Sequence, residues 1–158
     1  MINRLPPNHT TDTWLTPQYI IRALGPFDLD PCCPKDMPWE TADIMLTPEI
    51  DGLKAAWEGY VWCNPPFSKM LPWVAKMVEH NNGIMLVPAK STDSKWGQCV
   101  LENCTSVLFQ KGRIAFNYID GTPSTGKWSP YMFAAFGQYA SNKLGVAVAT
   151  GKLEGIIL

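Results

Sequence analysis

Four residues, Asn64-Pro65-Pro66-Phe67, constrain this chain more than any other stretch. They follow a short apolar run, Tyr60-Val61-Trp62-Cys63, which predicts a buried strand. Neither proline can donate a ladder hydrogen bond, so the strand has to stop in an abrupt, stiff turn. In open α/β sheets ligands bind beyond the carboxyl ends of strands, so this turn sits where a site forms. It presents an amide side chain, backbone carbonyls and an aromatic ring at one corner. That combination suits a planar group carrying an amine.

The chemistry follows from the donor and acceptor inventory. An exocyclic amine on a nucleobase is a poor nucleophile, because its lone pair is delocalised into the ring. The Asn64 side-chain oxygen and the Pro65 carbonyl can each accept one N–H from such an amine. Acceptors out of the ring plane draw the nitrogen toward a tetrahedral geometry and localise its lone pair. This is catalysis by positioning and electrostatics, with no covalent enzyme intermediate. Pro66 stiffens the corner and Phe67 is placed to stack on the ring. A base inside a duplex cannot reach such a corner and has to be flipped out.

The rest of the chain supplies a frame for that corner. At 158 residues it predicts one domain over residues 1–158, with residues 1–11 as a flexible lead. The polar start with Pro6-Pro7 excludes a signal peptide, and no apolar run is long enough to span a membrane. A cytoplasmic protein is expected. Its five cysteines lack Cys-x-x-Cys spacing and a nearby histidine pair, so they read as reduced thiols and no metal site is expected. Net charge is −1, which is no basic footprint for nucleic acid. Residues 1–59 carry nine acids and four bases, and residues 60–158 carry five acids and nine bases. An acidic half suits a sulfonium cofactor and a basic half suits phosphates; ordinary surface variation accounts for the split equally well.

Local signals predict alternating elements. Thr16 as N-cap and Pro17 at the first helical position open a helix that runs to Leu24 and stops at Gly25. Phe27 to Asp30 is a short strand ended by Pro31. Residues 31–59 read as irregular loop with one short strand or turn near Ala42–Leu46. After the Tyr60–Cys63 strand, Pro72 starts a helix through His80. Gly83 to Val87 is a strand, Asp93 caps a helix to about Asn103, and Ser106 to Phe109 is the next strand. Arg113 to Tyr118 and Pro130 to Gly137 read as two strands around a polar loop. Gly145 to Ala149 and Ile156 to Leu158 read as a closing edge. The class is α/β, with a mostly parallel sheet, helices on both faces and an antiparallel edge.

With these motifs in order, the chain resembles a known family. Asp12-Thr13-Trp14-Leu15-Thr16-Pro17, Phe27-Asp28-Leu29-Asp30-Pro31-Cys32, Asp51-Gly52-Leu53 with Trp57 and Gly59, and Asn64-Pro65-Pro66-Phe67 are similar to the motifs of phage-type DNA N6-adenine methyltransferases, the phage Dam family. The likeness runs from about residue 12 to 136. It implies a minimal Rossmann-like methyltransferase fold, S-adenosylmethionine as cofactor and adenine in DNA as substrate. It also implies cofactor contacts from Trp14, Thr16, Pro17, Asp28, Asp30, Pro31, Cys32 and Asp51, with Asp51-Gly52-Leu53 flooring the adenine subsite. The glycine-rich loop usual in methyltransferase folds is replaced by Pro31-Cys32-Cys33-Pro34, so which aspartate meets the cofactor is open.

Candidate DNA contacts are Ser68 and Lys69 after the corner, Lys90 in the loop before Asp93, Arg113 near Phe116, and Lys127 with Trp128 in the polar loop. Each also has an ordinary reading as solvated loop or helix start. The tetrapeptide does not separate adenine N6 from cytosine N4, RNA or a glutamine amide. A noncatalytic nucleic-acid-binding module on the same fold is the competitor from another class. No target sequence can be named, and the oligomeric state is open, with a monomer favoured.

Overall fold

The computed structural model describes residues 13–124 and 129–158. Its described elements run in the order α1 (Gln18–Leu24), β1 (Leu29–Asp30), β2 (Ile44–Met45), β3 (Val61–Cys63), α2 (Met70–His80), β4 (Gly83–Pro88), α3 (Lys95–Asn103), β5 (Ser106–Gln110), β6 (Tyr131–Phe136), α4 (Gln138–Ala149) and β7 (Gly155–Ile157). The strands form one mixed sheet in the order β2-β1-β3-β4-β6-β5-β7. β2, β1, β3 and β4 pair in parallel, while β6 pairs antiparallel with β4 and β5, and β7 antiparallel with β5. Five strands therefore share one direction, and β6 and β7 oppose them. Antiparallel pairing reaches further into the sheet than an edge, because β6 is inserted between β4 and β5.

Strand alternation divides the core. Trp62, Ile84, Leu86, Phe133 and Ala135 face α1 and α4, with Ile20, Leu24, Ala140 and Leu144 packed on them. Val61, Cys63, Met85, Val87, Met132 and Ala134 face the other way, under Trp73, Val74 and Met77 of α2 and Val100 of α3. Helices thus cover both faces. A sheet buried on both sides needs continuous apolar strands, and β4 and β6 are buried at every residue. Among the described residues no helix is long and apolar enough to cross a membrane.

Several boundaries differ from the local signals. α1 begins at Gln18, with Pro17 at the cap position and no side-chain cap. The Thr16 hydroxyl is instead engaged by a side chain 48 positions away. α2 starts at Met70, after a 3-10 turn over Phe67–Lys69, so Pro72 lies inside the first turn, where no N–H is needed. The cap of α3 is Ser94, whose hydroxyl accepts the Gly97 N–H at 3.1 Å, and Asp93 stands outside. Residues 113–118 form no strand; Asn117 alone bridges to Leu15 and Pro123. Residues 145–149 belong to α4, because Ala140, Leu144 and Ala147 recur at helical spacing on a buried face. The first eleven residues lie outside the described residues.

β1, β3, β4 and β5 all end at one edge of the sheet, and β6 begins there, with Tyr131 opposite Pro88. The loops that leave this edge hold the motifs.

Candidate active site

The adjacent ends of β1 and β3 carry the two polar groups of the site. Asp30 closes β1 and is 3% exposed. Its Oδ1 accepts the Cys32 backbone N–H at 3.0 Å, and its Oδ2 accepts the Thr41 hydroxyl at 2.5 Å. Burial pushes its carboxyl up to about 6, against the pull of those two hydrogen bonds. No cation among the described residues pairs with it within ion-pair distance. Asn64 follows β3 directly and is half-buried. Its Nδ2 donates to the Thr16 hydroxyl oxygen at 3.2 Å, and no described residue hydrogen-bonds its Oδ1.

Between these ends opens a cavity of about 690 Å³. That is the size of a site for a drug-sized ligand or cofactor. Asp30, Pro31 and Cys32 line it from β1, and Asn64, Pro65, Pro66 and Phe67 from β3. Phe67 is 39% exposed at the rim, with its ring 5.7 Å from that of Tyr131.

The comparisons bear on this same stretch of chain. A family model described as DNA N-6-adenine-methyltransferase (Dam) matches residues 5–140, which include every described residue lining the cavity. The chain belongs to this family. It is similar to the DNA N-6-adenine-methyltransferase of Haemophilus phage HP1 (strain HP1c1), 29% identical over 138 residues that cover 79% of this chain and 78% of that one. It is also similar to the DNA N-6-adenine-methyltransferase of Escherichia phage T1, 30% identical over 113 residues, 65% of this chain and 46% of that one. No solved structure matches.

The cavity of this Dam-family chain gathers most of the residues singled out by sequence. Trp14, Thr16, Asp30, Pro31, Cys32 and Asp51 line it together with the tetrapeptide. Pro17 is buried beside it and is not part of the lining. Asp28 lies elsewhere: its Oδ2 accepts the Tyr60 N–H at 2.7 Å, at the opposite end of the sheet from Asn64. Gly59 makes room there, since a Cβ at its φ of +74° would meet the Asp28 carboxyl. Of the two aspartates, only Asp30 therefore faces the cavity. Ser68, Lys69, Lys90 and Arg113 are exposed and outside the lining, although they follow the ends of β3, β4 and β5 at the same edge of the sheet. Lys127 and Trp128 lie outside the described residues.

Some lining residues carried no usable local signal. Thr41 sits in the irregular loop and becomes a partner of Asp30 only through the fold. Trp62, in a run that reads as a buried strand, and Trp73 of α2 are both buried, and both also reach the cavity. Tyr131 opens β6, packs 5.0 Å from Phe116 and has its phenol pushed up to about 12 by burial. Aromatic residues in strands and helices ordinarily read as core.

The thiols nearby are held protonated. Burial first, then the Asp30 charge, pushes Cys32 and Cys33 up to about 12. Cys63 is raised by burial, with Cys32 and Asp30 adding to it. A thiol in that state is a poor nucleophile. Among the described residues no group of His, Cys, Asp and Glu could hold a metal ion.

Proposed function

We propose that this protein transfers a methyl group from S-adenosylmethionine to the N6 amine of adenine in DNA, by direct displacement on a flipped base. One observation carries the reading: an amide oxygen without a described partner and a buried carboxylate without a counter-cation line one cavity from neighbouring strand ends. Family membership supplies the chemistry that the geometry fits. We take the sheet as a minimal, mostly parallel Rossmann-like methyltransferase fold, working as one monomeric domain over residues 1–158 in a host cytoplasm.

The residues present fit the cofactor. A buried carboxylate whose ionised form is disfavoured by desolvation gains from a cation beside it, and the cofactor is a sulfonium. The cavity is large enough, and its lining mixes apolar surface with a few polar groups. Asp30, Pro31 and Cys32, with Trp14 and Asp51, are the residues to hold it. When bound, S-adenosylmethionine would supply an electrophilic methyl carbon, with its sulfonium sulfur as the leaving group that keeps the bonding pair.

Asn64 Oδ1 and the Pro65 carbonyl accept the two N–H groups of the amine. Their pull frees the nitrogen lone pair for the methyl carbon. Phe67 stacks on the adenine and holds its plane. The nitrogen loses one proton to solvent after transfer, so no protein group has to become covalently attached. Ser68, Lys69, Lys90 and Arg113, along the same edge, are the candidate phosphate contacts; Lys127 and Trp128 are candidate DNA contacts from sequence alone.

The test uses methyl-labelled cofactor and DNA, followed by digestion and mass spectrometry. N6-methyladenine is expected. Label on cytosine N4, RNA or a glutamine amide, or no transfer with no cofactor binding, rejects the reading. Asn64→Ala should lower turnover by about 10²–10³-fold, the usual cost of losing one preorganised polar contact, while cofactor binding persists. Full activity in that variant rejects the assigned role.

A further inference from the structure

The hydrogen bond between Thr16 and Asn64 joins two segments that the sequence keeps far apart. Thr16 is 3% exposed and lines the cavity beside Asn64. Its segment is held firmly. Leu15 is fully buried and exchanges backbone hydrogen bonds of 2.9 and 3.0 Å with Asn117, and Pro17 is buried on the other side. The Thr16 side chain caps no helix.

We infer that Thr16 is a positioning residue for methyl transfer, whose hydroxyl takes up the Asn64 amide N–H so that the amide oxygen is presented to the incoming amine. The inference rests on the reading of Asn64 as the residue that grips the amine. An asparagine amide has two ends of nearly equal shape, and only the oxygen accepts. Turning that oxygen to the cavity directs the Nδ2 end at the protein, where an unmet donor is costly. Thr16 Oγ1 is the acceptor found there among the described residues. Without it the Nδ2 end has no described acceptor on the protein side, and the amide loses the contact that holds its oxygen toward the cavity. The contact departs from the sequence expectation, which gave Thr16 to the helix cap or to the cofactor.

Thr16→Val keeps the shape and removes the hydroxyl, and Thr16→Ser keeps the hydroxyl. Each is compared with wild type for kcat at saturating DNA and cofactor, for cofactor Kd by calorimetry, and for melting temperature. Thr16→Val is expected to lower kcat about ten-fold, the scale of one lost hydrogen bond in the transition state, with cofactor Kd unchanged. Thr16→Ser restores kcat. In the cofactor-free protein, the Asn64 side-chain NH₂ resonances move in Thr16→Val and hold in Thr16→Ser. An unchanged kcat in Thr16→Val overturns the inference, and a weakened Kd alone makes Thr16 a cofactor contact instead. If wild type transfers no methyl group, the proposed function fails on its own, while unmoved Asn64 resonances still overturn the positioning role. Should Thr16→Val not fold, Thr16→Ala against Thr16→Ser makes the same comparison.

Discussion

At the scale of single residues, Asn64 and Asp30 differ in how they reveal themselves. Asn64 was legible because two prolines after an apolar run leave few conformations and force the side chain out at a strand end. Asp30 was not separable from Asp28 by sequence, since both lie in one short segment. Their difference comes from partners on other elements: Tyr60 takes Asp28, and Thr41 and Cys32 take Asp30. Because burial raises the Asp30 carboxyl to about 6, its charge is present above that pH and lost as pH falls through it. If Asp30 faces the sulfonium as proposed, cofactor binding needs that charge. Calorimetry should therefore find affinity steady near neutral pH and falling in the acid range, while Asp30→Asn binds weakly with a flat profile. The folded-state pKa is raised, so the sign for stability is opposite: the ionised carboxylate costs folding free energy at high pH, and that cost disappears as pH falls. Asp30→Asn should thus be more stable than wild type at alkaline pH, by about 1–3 kcal/mol for a shift of this size, and melt higher, with the gap closing toward acid pH. A fall in melting temperature at every pH would show that its hydrogen bonds outweigh desolvation.

At the scale of elements, the site depends on close backbone approach between loops. Gly52 packs so near the Pro31 carbonyl that an added Cβ would sit 2.0 Å from its oxygen and 3.0 Å from the Trp73 ring. The contacts leave no flexible group to yield, since the nearest is backbone. Gly52→Ala should cost about 1–3 kcal/mol, as overpacking typically does, and weaken cofactor binding by displacing Pro31; thermal melts and calorimetry read the two effects. Wild-type values for both would mean the loop relaxes freely. Sequence patterns located α1, α2, α3, β3 and β4 closely, because caps, prolines and apolar runs are local. They failed at residues 145–149, where Val146 and Val148 favour a strand but the buried stripe of Ala140, Leu144 and Ala147 needs a helix. They failed again at residues 113–118, which bridge to Leu15 and Pro123 through Asn117 alone.

At the scale of the whole molecule, a chain of net charge −1 has to meet a polyanion. The topology helps, since the loops after β3, β4 and β5 bring Lys69, Lys90 and Arg113 to the edge that bears the cavity. If these contact phosphates, replacing any one by Ala should weaken DNA binding equally for all sequences and reduce the salt slope of log K by about 1. Titrations across a range of salt concentrations measure it. An unchanged slope removes that residue from the interface. Local sequence was sufficient for the existence of the Asn64 corner, the short β1 ending at Pro31 and the alternation of helices and strands, because stiff dihedrals and apolar periodicity act over a few residues. It was not sufficient for the insertion of β6 between β4 and β5, the choice of Asp30 over Asp28, or the grip of Thr16 on Asn64. Those depend on which segments meet in space, and burial and hydrogen-bond partners exist only once the chain has closed on itself.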